Sequence, residues 1–173
     1  CTEFNGRASE RGKDYNLGPL DWCTASGKSF KDAKPDGNCL YEALGYFFGL
    51  TQKDCRHIIA ESAHEHWSTA LPWDENSSEL PGFVEETLAE GIYGGGVQIL
   101  VFARAMGCSV QVHTLDGKVQ TFGHEGRSVQ LLYCSTHSDP SRPNHYQSIW
   151  DNGQERDGRI DVPVLGGSGY RAG

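Results

Sequence analysis

The stretch Pro35-Asp36-Gly37-Asn38-Cys39-Leu40-Tyr41-Glu42-Ala43-Leu44 admits few conformations, and it sets a cysteine where a turn becomes a helix. Proline disfavours helix at the residue before it, Asp-Gly is turn chemistry, and Asn38 is of the type that caps helices. The helix is therefore expected to start at Cys39. Leu40, Ala43, Leu44 and Phe47 follow at helical spacing, which buries that face and fixes Cys39 at the helix end. The unpaired N–H groups and partial positive charge of such an end favour a thiolate and can hold a developing oxyanion. A free cysteine is as often a small buried hydrophobe, and the turn by itself admits both readings.

A nucleophile needs a base, and a candidate stands far downstream in Pro143-Asn144-His145-Tyr146-Gln147-Ser148-Ile149-Trp150. His145 opens a run that reads as a strand. Side chains at i and i+2 share one face of a strand, so Gln147 is expected beside His145, where it can orient the imidazole as the third group of a Cys-His site.

These two motifs, with Tyr93-Gly94-Gly95-Gly96-Val97-Gln98-Ile99-Leu100 between them, resemble the ovarian-tumour (OTU) family of cysteine proteases over about residues 30 to 150. Tyr93 stands where the family usually has Trp, and Gln147 where it usually has Asn or Asp. The resemblance implies a papain-like fold and hydrolysis of isopeptide or peptide bonds after the C-terminal Gly of ubiquitin or a ubiquitin-like modifier, with no cofactor or metal. It implies Cys39 as nucleophile and His145 as base, with Asp36 and Gln147 assisting. Gly37 and Asn38 would belong to an oxyanion loop. Tyr93, Gly94 and Gly95 would bind substrate, their small size leaving a channel for a Gly-Gly tail. Two other functions are compatible with these residues, a protease that cuts its own polyprotein and a non-catalytic ubiquitin-binding domain.

A chain of 173 residues is the length of one domain. Its formal charge of -8 disfavours nucleic acid or an anionic membrane as partner and suits a basic peptide or protein. Six cysteines at wide spacing, with no CxxC pair, point to reduced thiols and a cytoplasmic setting, that of a host cell if the protein is viral or a bacterial effector. No run is apolar enough for a signal peptide or membrane span, and the start at Cys1 suggests part of a longer chain. A monomer is expected.

In chain order, Cys1 to Lys31 reads as an extended arm anchored by Leu17, Leu20, Trp22 and Phe30, residues 32–155 as the catalytic domain, and residues 156–173 as a Gly-rich tail. Within that tail, Leu165-Gly166-Gly167 would suit the protein's own active site, although a linker is the plainer reading. Thr51 and Asp54 look like a capping pair for a helix whose apolar face is Cys55, Ile58, Ile59, Ala63 and Trp67, with His57, His64 and His66 on its solvated side. Residues 68–82 read as a loop, with Trp73 plugging the core. A short helix from Phe83 and another from Val97 to Met106, stopped by Gly107, come next. Alternation over 108–113, the turn Asp116-Gly117, and strand-like runs at 119–122, 129–134 and 145–150 complete an α+β chain, helices packed on a small, mostly antiparallel sheet.

Overall fold

The computed structural model describes residues 18–124, 126–135 and 143–154. The Leu165-Gly166-Gly167 segment, the rest of the tail and most of the expected N-terminal arm lie outside the described residues. The elements are α1 (Pro19–Ala25), β1 (Lys28–Lys31), α2 (Cys39–Tyr46), α3 (Gln52–Ala70), α4 (Leu80–Leu88), α5 (Gly96–Met106), β2 (Cys108–Thr114), β3 (Val119–Phe122), β4 (Arg127–Cys134) and β5 (His145–Asp151). The strands form one sheet in the order β1-β5-β4-β2-β3, antiparallel throughout except for the parallel pair β2 and β4. This is the expected α+β architecture.

Period-two alternation in β4 explains the two layers. Val129 and Leu131 join the large core with Leu40, Leu44, Ile58, Ile59 and Phe102, beneath the helices. Leu132 and Cys134 turn the other way, into a smaller cluster with Trp22, Cys23, Leu115 and Ile149. Burial of each large aliphatic or aromatic side chain contributes about 1.5–3 kcal/mol, so the helical layer carries most of the stability. Thr51 and Asp54 cap α3 reciprocally, at 3.1 and 3.0 Å, and Gly107 ends α5 in the left-handed conformation (φ 63°).

Three expectations are corrected here. The arm read as extended up to Lys31 instead forms a helix over Pro19–Ala25, because Trp22 and Cys23 bury against the sheet; its last residues form the short edge strand β1, paired with β5. Leu20, expected as an anchor, is exposed. Trp73 does not plug the core: it is 73% exposed, and Trp67 fills the interior there.

Candidate active site

Asn38 precedes α2, but its side chain makes no cap bond, contrary to expectation. Its Oδ1 instead accepts from Arg56 Nη2 at 2.7 Å and from the Gly91 N–H at 2.8 Å. Asp36 does the local shaping: its Oδ1 accepts the Asn38 N–H at 2.9 Å and its carbonyl accepts the Cys39 N–H at 3.2 Å. An oxyanion bound at this loop would therefore compete with Asp36 for those two N–H groups. Gly37 is a glycine because of close approach, since a Cβ there would lie 1.7 Å from the Gly91 carbonyl oxygen.

Arg56, which sequence reasoning passed over, organises this region. It is 1% exposed, with Nη1 donating to the Thr87 carbonyl (2.9 Å) and Nη2 to the Gly37 (3.3 Å) and Ile92 (3.0 Å) carbonyls as well as to Asn38. Its guanidinium lies 4.0 Å over the Tyr41 ring. One buried cation thus ties α3 to the cysteine loop and to residues 87–92. The signal for it was a charge at 56 on the stripe Ile59 and Ala63, at i+3 and i+7 of a buried helix face.

Cys39 is 1% exposed, and the backbone N–H groups of Leu40 and Tyr146 donate to its sulfur. Burial nevertheless pushes the thiol above its ordinary value of 9.0, with Asp36 and Glu42 adding smaller increments in the same direction. The expected thiolate at the helix end is therefore corrected: in the free protein desolvation outweighs the helix end and the two N–H groups. Alkylation of Cys39 by iodoacetamide, followed by peptide mass spectrometry, should accordingly still be accelerating at pH 9 in this state. A plateau already reached near pH 7 would show a standing thiolate and contradict this picture.

The candidate base, His145, opens β5. His145 Nε2 is 3.3 Å from Asp32 Oδ1, and Gln147 Nε2 donates to the same oxygen at 2.7 Å. His145 and Gln147 do share a face, as i and i+2 on a strand require, but Gln147 does not touch the ring. It holds Asp32, and Asp32 meets the imidazole. The register explains this: Lys31 pairs with Ser148 across β1 and β5, so the next residue, Asp32, stands opposite Gln147 and diagonal to His145. With Nε2 on a carboxylate, the ring proton belongs at Nε2 and the lone pair at Nδ1. Nδ1 is buried and has no hydrogen-bond partner among the described residues. Asp36, whose carboxylate is committed to the loop, is not brought to the histidine.

Of the glycines between the motifs, Gly94 has a packing role of its own. A Cβ on Gly94 would lie 2.5 Å from the Tyr41 hydroxyl and 2.8 Å from Leu40, so this glycine lets the segment pack on α2 and opens no channel. Gly95 faces open space, and Tyr93 is exposed. A groove of about 480 Å³ runs instead along Gly96, Ile99, Val112, Phe122 and the tyrosines Tyr133 and Tyr146. Those tyrosines stack at 4.4 Å, and Tyr146 is the residue whose N–H meets the Cys39 sulfur.

This geometry can be set beside known proteins. No family model matches the sequence, and no curated protein sequence matches it. Solved structures do match. The OTU domain of OTUD1 superposes with a TM-score of 0.57 at 20% identity, covering 87% of this chain and 99% of that one. The viral OTU domain protease from Taggert virus gives 0.60 at 19% identity, covering 75% and 83%. An OTU domain in complex with ubiquitin gives 0.56 at 16% identity, covering 84% and 88%. The chain has the OTU fold. Its α+β sheet and helices are those of the OTU domains over most of their length. No helix among the described residues is long and apolar enough to cross a membrane.

Proposed function

We propose that this OTU-fold chain is a cysteine protease that cleaves isopeptide or peptide bonds after the C-terminal Gly of ubiquitin or a ubiquitin-like modifier. The observation that carries the reading is the polarity of His145: Nε2 is held on Asp32 while Nδ1 is left buried and unpartnered, with the next residue, Tyr146, donating its N–H to the Cys39 sulfur. On this reading His145 keeps a lone pair in reserve for the thiol of Cys39.

The thiol rests protonated. As its sulfur attacks the carbonyl carbon, His145 Nδ1 takes the proton and Asp32 stabilises the resulting imidazolium. The C–N bond then breaks, the imidazolium returns the proton to the leaving amine, and a thioester remains on Cys39. Water, deprotonated by His145, attacks the thioester and restores the thiol and a free carboxylate. Gly37 would supply its N–H to the oxyanion, joined by those of Asn38 and Cys39 once Asp36 yields them. The apolar groove beside Tyr146 suits the acyl side of the scissile bond. Ubiquitin as substrate is supported by the likeness to OTU domains solved with ubiquitin, including that of Hazara virus. The five described cysteines are all free and buried, which suits a reducing cytoplasm.

The test is a ubiquitin probe ending in a thiol-reactive electrophile. One covalent adduct, mapped to Cys39, is expected; no adduct, or one on another cysteine, would remove the proposal. The orienting role of Asp32 is tested separately by a double-mutant cycle. Asp32→Ala is expected to lower kcat by roughly 10², less than the ~10⁴ seen for a fully buried triad carboxylate, because the Asp32 side chain is 66% exposed and screened by water. Gln147→Ala should cost less, and adding it to Asp32→Ala should cost almost nothing more. A Gln147→Ala defect larger than that of Asp32→Ala would restore Gln147 as the orienting group.

A further inference from the structure

A second groove, of about 380 Å³, lies between the C-terminal end of α3 and α4, lined by Trp67, Leu71, Phe83 and Val97 with Glu79 and Glu86 among its remaining residues. Trp67 stands eleven residues beyond Arg56 on α3, about 16 Å along the helix axis, so the Trp67 end of the groove is removed from the cysteine loop that Arg56 holds. Its apolar floor is fixed. The Trp67 and Phe83 rings pack at 5.0 Å, and the indole N–H of Trp67 donates to Asp74 at 2.9 Å.

Asp74 also pins the loop that closes this end. Its carboxylate accepts the Ser78 N–H (3.0 Å), the Ser78 hydroxyl (2.7 Å) and the Glu79 N–H (2.9 Å). From this pinned loop Trp73 projects with 73% of its surface in water. An indole held out on an ordered loop, one residue before the Asp74 that holds the Trp67 indole of the groove floor, is the kind of group that anchors protein contacts, where Trp is enriched among the residues of largest effect. Charge narrows the choice of partner. Between Arg56 and Arg104 the chain has eight acidic residues and no lysine or arginine, which equals the net charge of -8 of the whole chain, so the remainder balances to zero. Of those acids Asp74 is buried, and the other seven are exposed.

We propose that this groove is a docking surface for a basic amphipathic segment of another protein. The apolar side of the segment lies on Trp67, Phe83 and Val97 and against Trp73, and its lysines or arginines face Glu79 and Glu86. The apolar floor selects against a merely polybasic chain, and the negative charge rejects nucleic acid and anionic lipid. This interaction goes beyond the hydrolytic reading and does not depend on Cys39.

The probe is a 14-residue helical peptide of leucine and lysine with its leucines on one face, titrated into the full chain and followed by amide chemical shifts. Two controls accompany it, the same composition shuffled so that the leucines are dispersed, and a leucine-glutamate twin. Saturable binding is expected, with shifts confined to residues 67–86 and 97, at least tenfold weaker for the shuffled peptide and absent for the twin. Glu79→Gln with Glu86→Gln should weaken binding about fivefold or more and flatten its salt dependence, and Trp73→Ala should weaken it about tenfold or more. All three positions are exposed, so thermal unfolding should be unchanged. Equal binding of the shuffled peptide, shifts centred elsewhere, or indifference to these substitutions would overturn the proposal. So would concentration-dependent shifts at the same residues without peptide, which would assign the groove to a second copy of the chain.

Discussion

Replacing Cys39 with Ala is expected to abolish hydrolysis of ubiquitin carrying a fluorogenic amide at its C-terminal Gly, while the protein unfolds at nearly the parent temperature. The two halves have separate physical grounds. Loss of a nucleophile costs about 10⁶ in turnover where it has been measured in a triad enzyme, because the partners left behind cannot form the covalent intermediate. The fold should hardly respond, since Cys39 is the first residue of α2, Ala is the best helix former, and only one sulfur leaves the site. The backbone N–H groups of Leu40 and Tyr146 lose a weak acceptor, a change of about 1 kcal/mol. Residual turnover above a tenth of the parent would refute the assignment. Substituting any of the other described cysteines should leave activity in place wherever the variant folds, since none of them stands at the turn into α2.

The parts of this site that lie within a few residues of one another were readable in the sequence. The turn into Cys39, the capping pair Thr51 and Asp54, the stop at Gly107 and the hairpin through Asp116-Gly117 each depend on local stereochemistry, and each stands where expected. Asp32 was not readable, because its place is set by strand pairing across 113 residues. It follows β1, whose sequence Lys28-Ser29-Phe30-Lys31 shows one apolar residue and no alternation, so nothing local marks a strand or a register. The sequence did place His145 and Gln147 on one face, but the acceptor between them comes from the neighbouring strand. Gly94 shows the converse limit. A glycine announces a close approach without saying to what, and here the neighbour is Tyr41 of the protein's own α2. Asn38 likewise had a local role available, the helix cap, which a buried cation outbids.

That cation gives the second large effect. Arg56→Met keeps the length and the apolar character of the stripe on α3 but removes every donor, leaving the Thr87, Ile92 and Gly37 carbonyls without this partner and Asn38 Oδ1 with the Gly91 N–H alone. Each stranded acceptor costs about 1–3 kcal/mol, partly offset because a desolvated charge is removed as well. Burial already pulls the guanidinium below its ordinary value, which is the direction that offset takes. The net expectation is a loss of about 3–5 kcal/mol, which for a chain of this size lowers the unfolding temperature by about 6–20 °C. Arg56→Lys should recover little of it: an ammonium retains the charge but cannot present the planar fork that reaches Thr87, Ile92 and Asn38 together. The same residues join the fold to the chemistry. With Arg56 gone, the Gly37 and Asn38 loop loses its tie to α3, so turnover measured well below the unfolding transition should fall while iodoacetamide reaches Cys39 faster. A merely structural arginine would leave both rates at parent values in the folded protein. Unchanged turnover together with an unfolding temperature within 2 °C of the parent, a shift worth no more than about 1 kcal/mol, would show that the loop is held by other means.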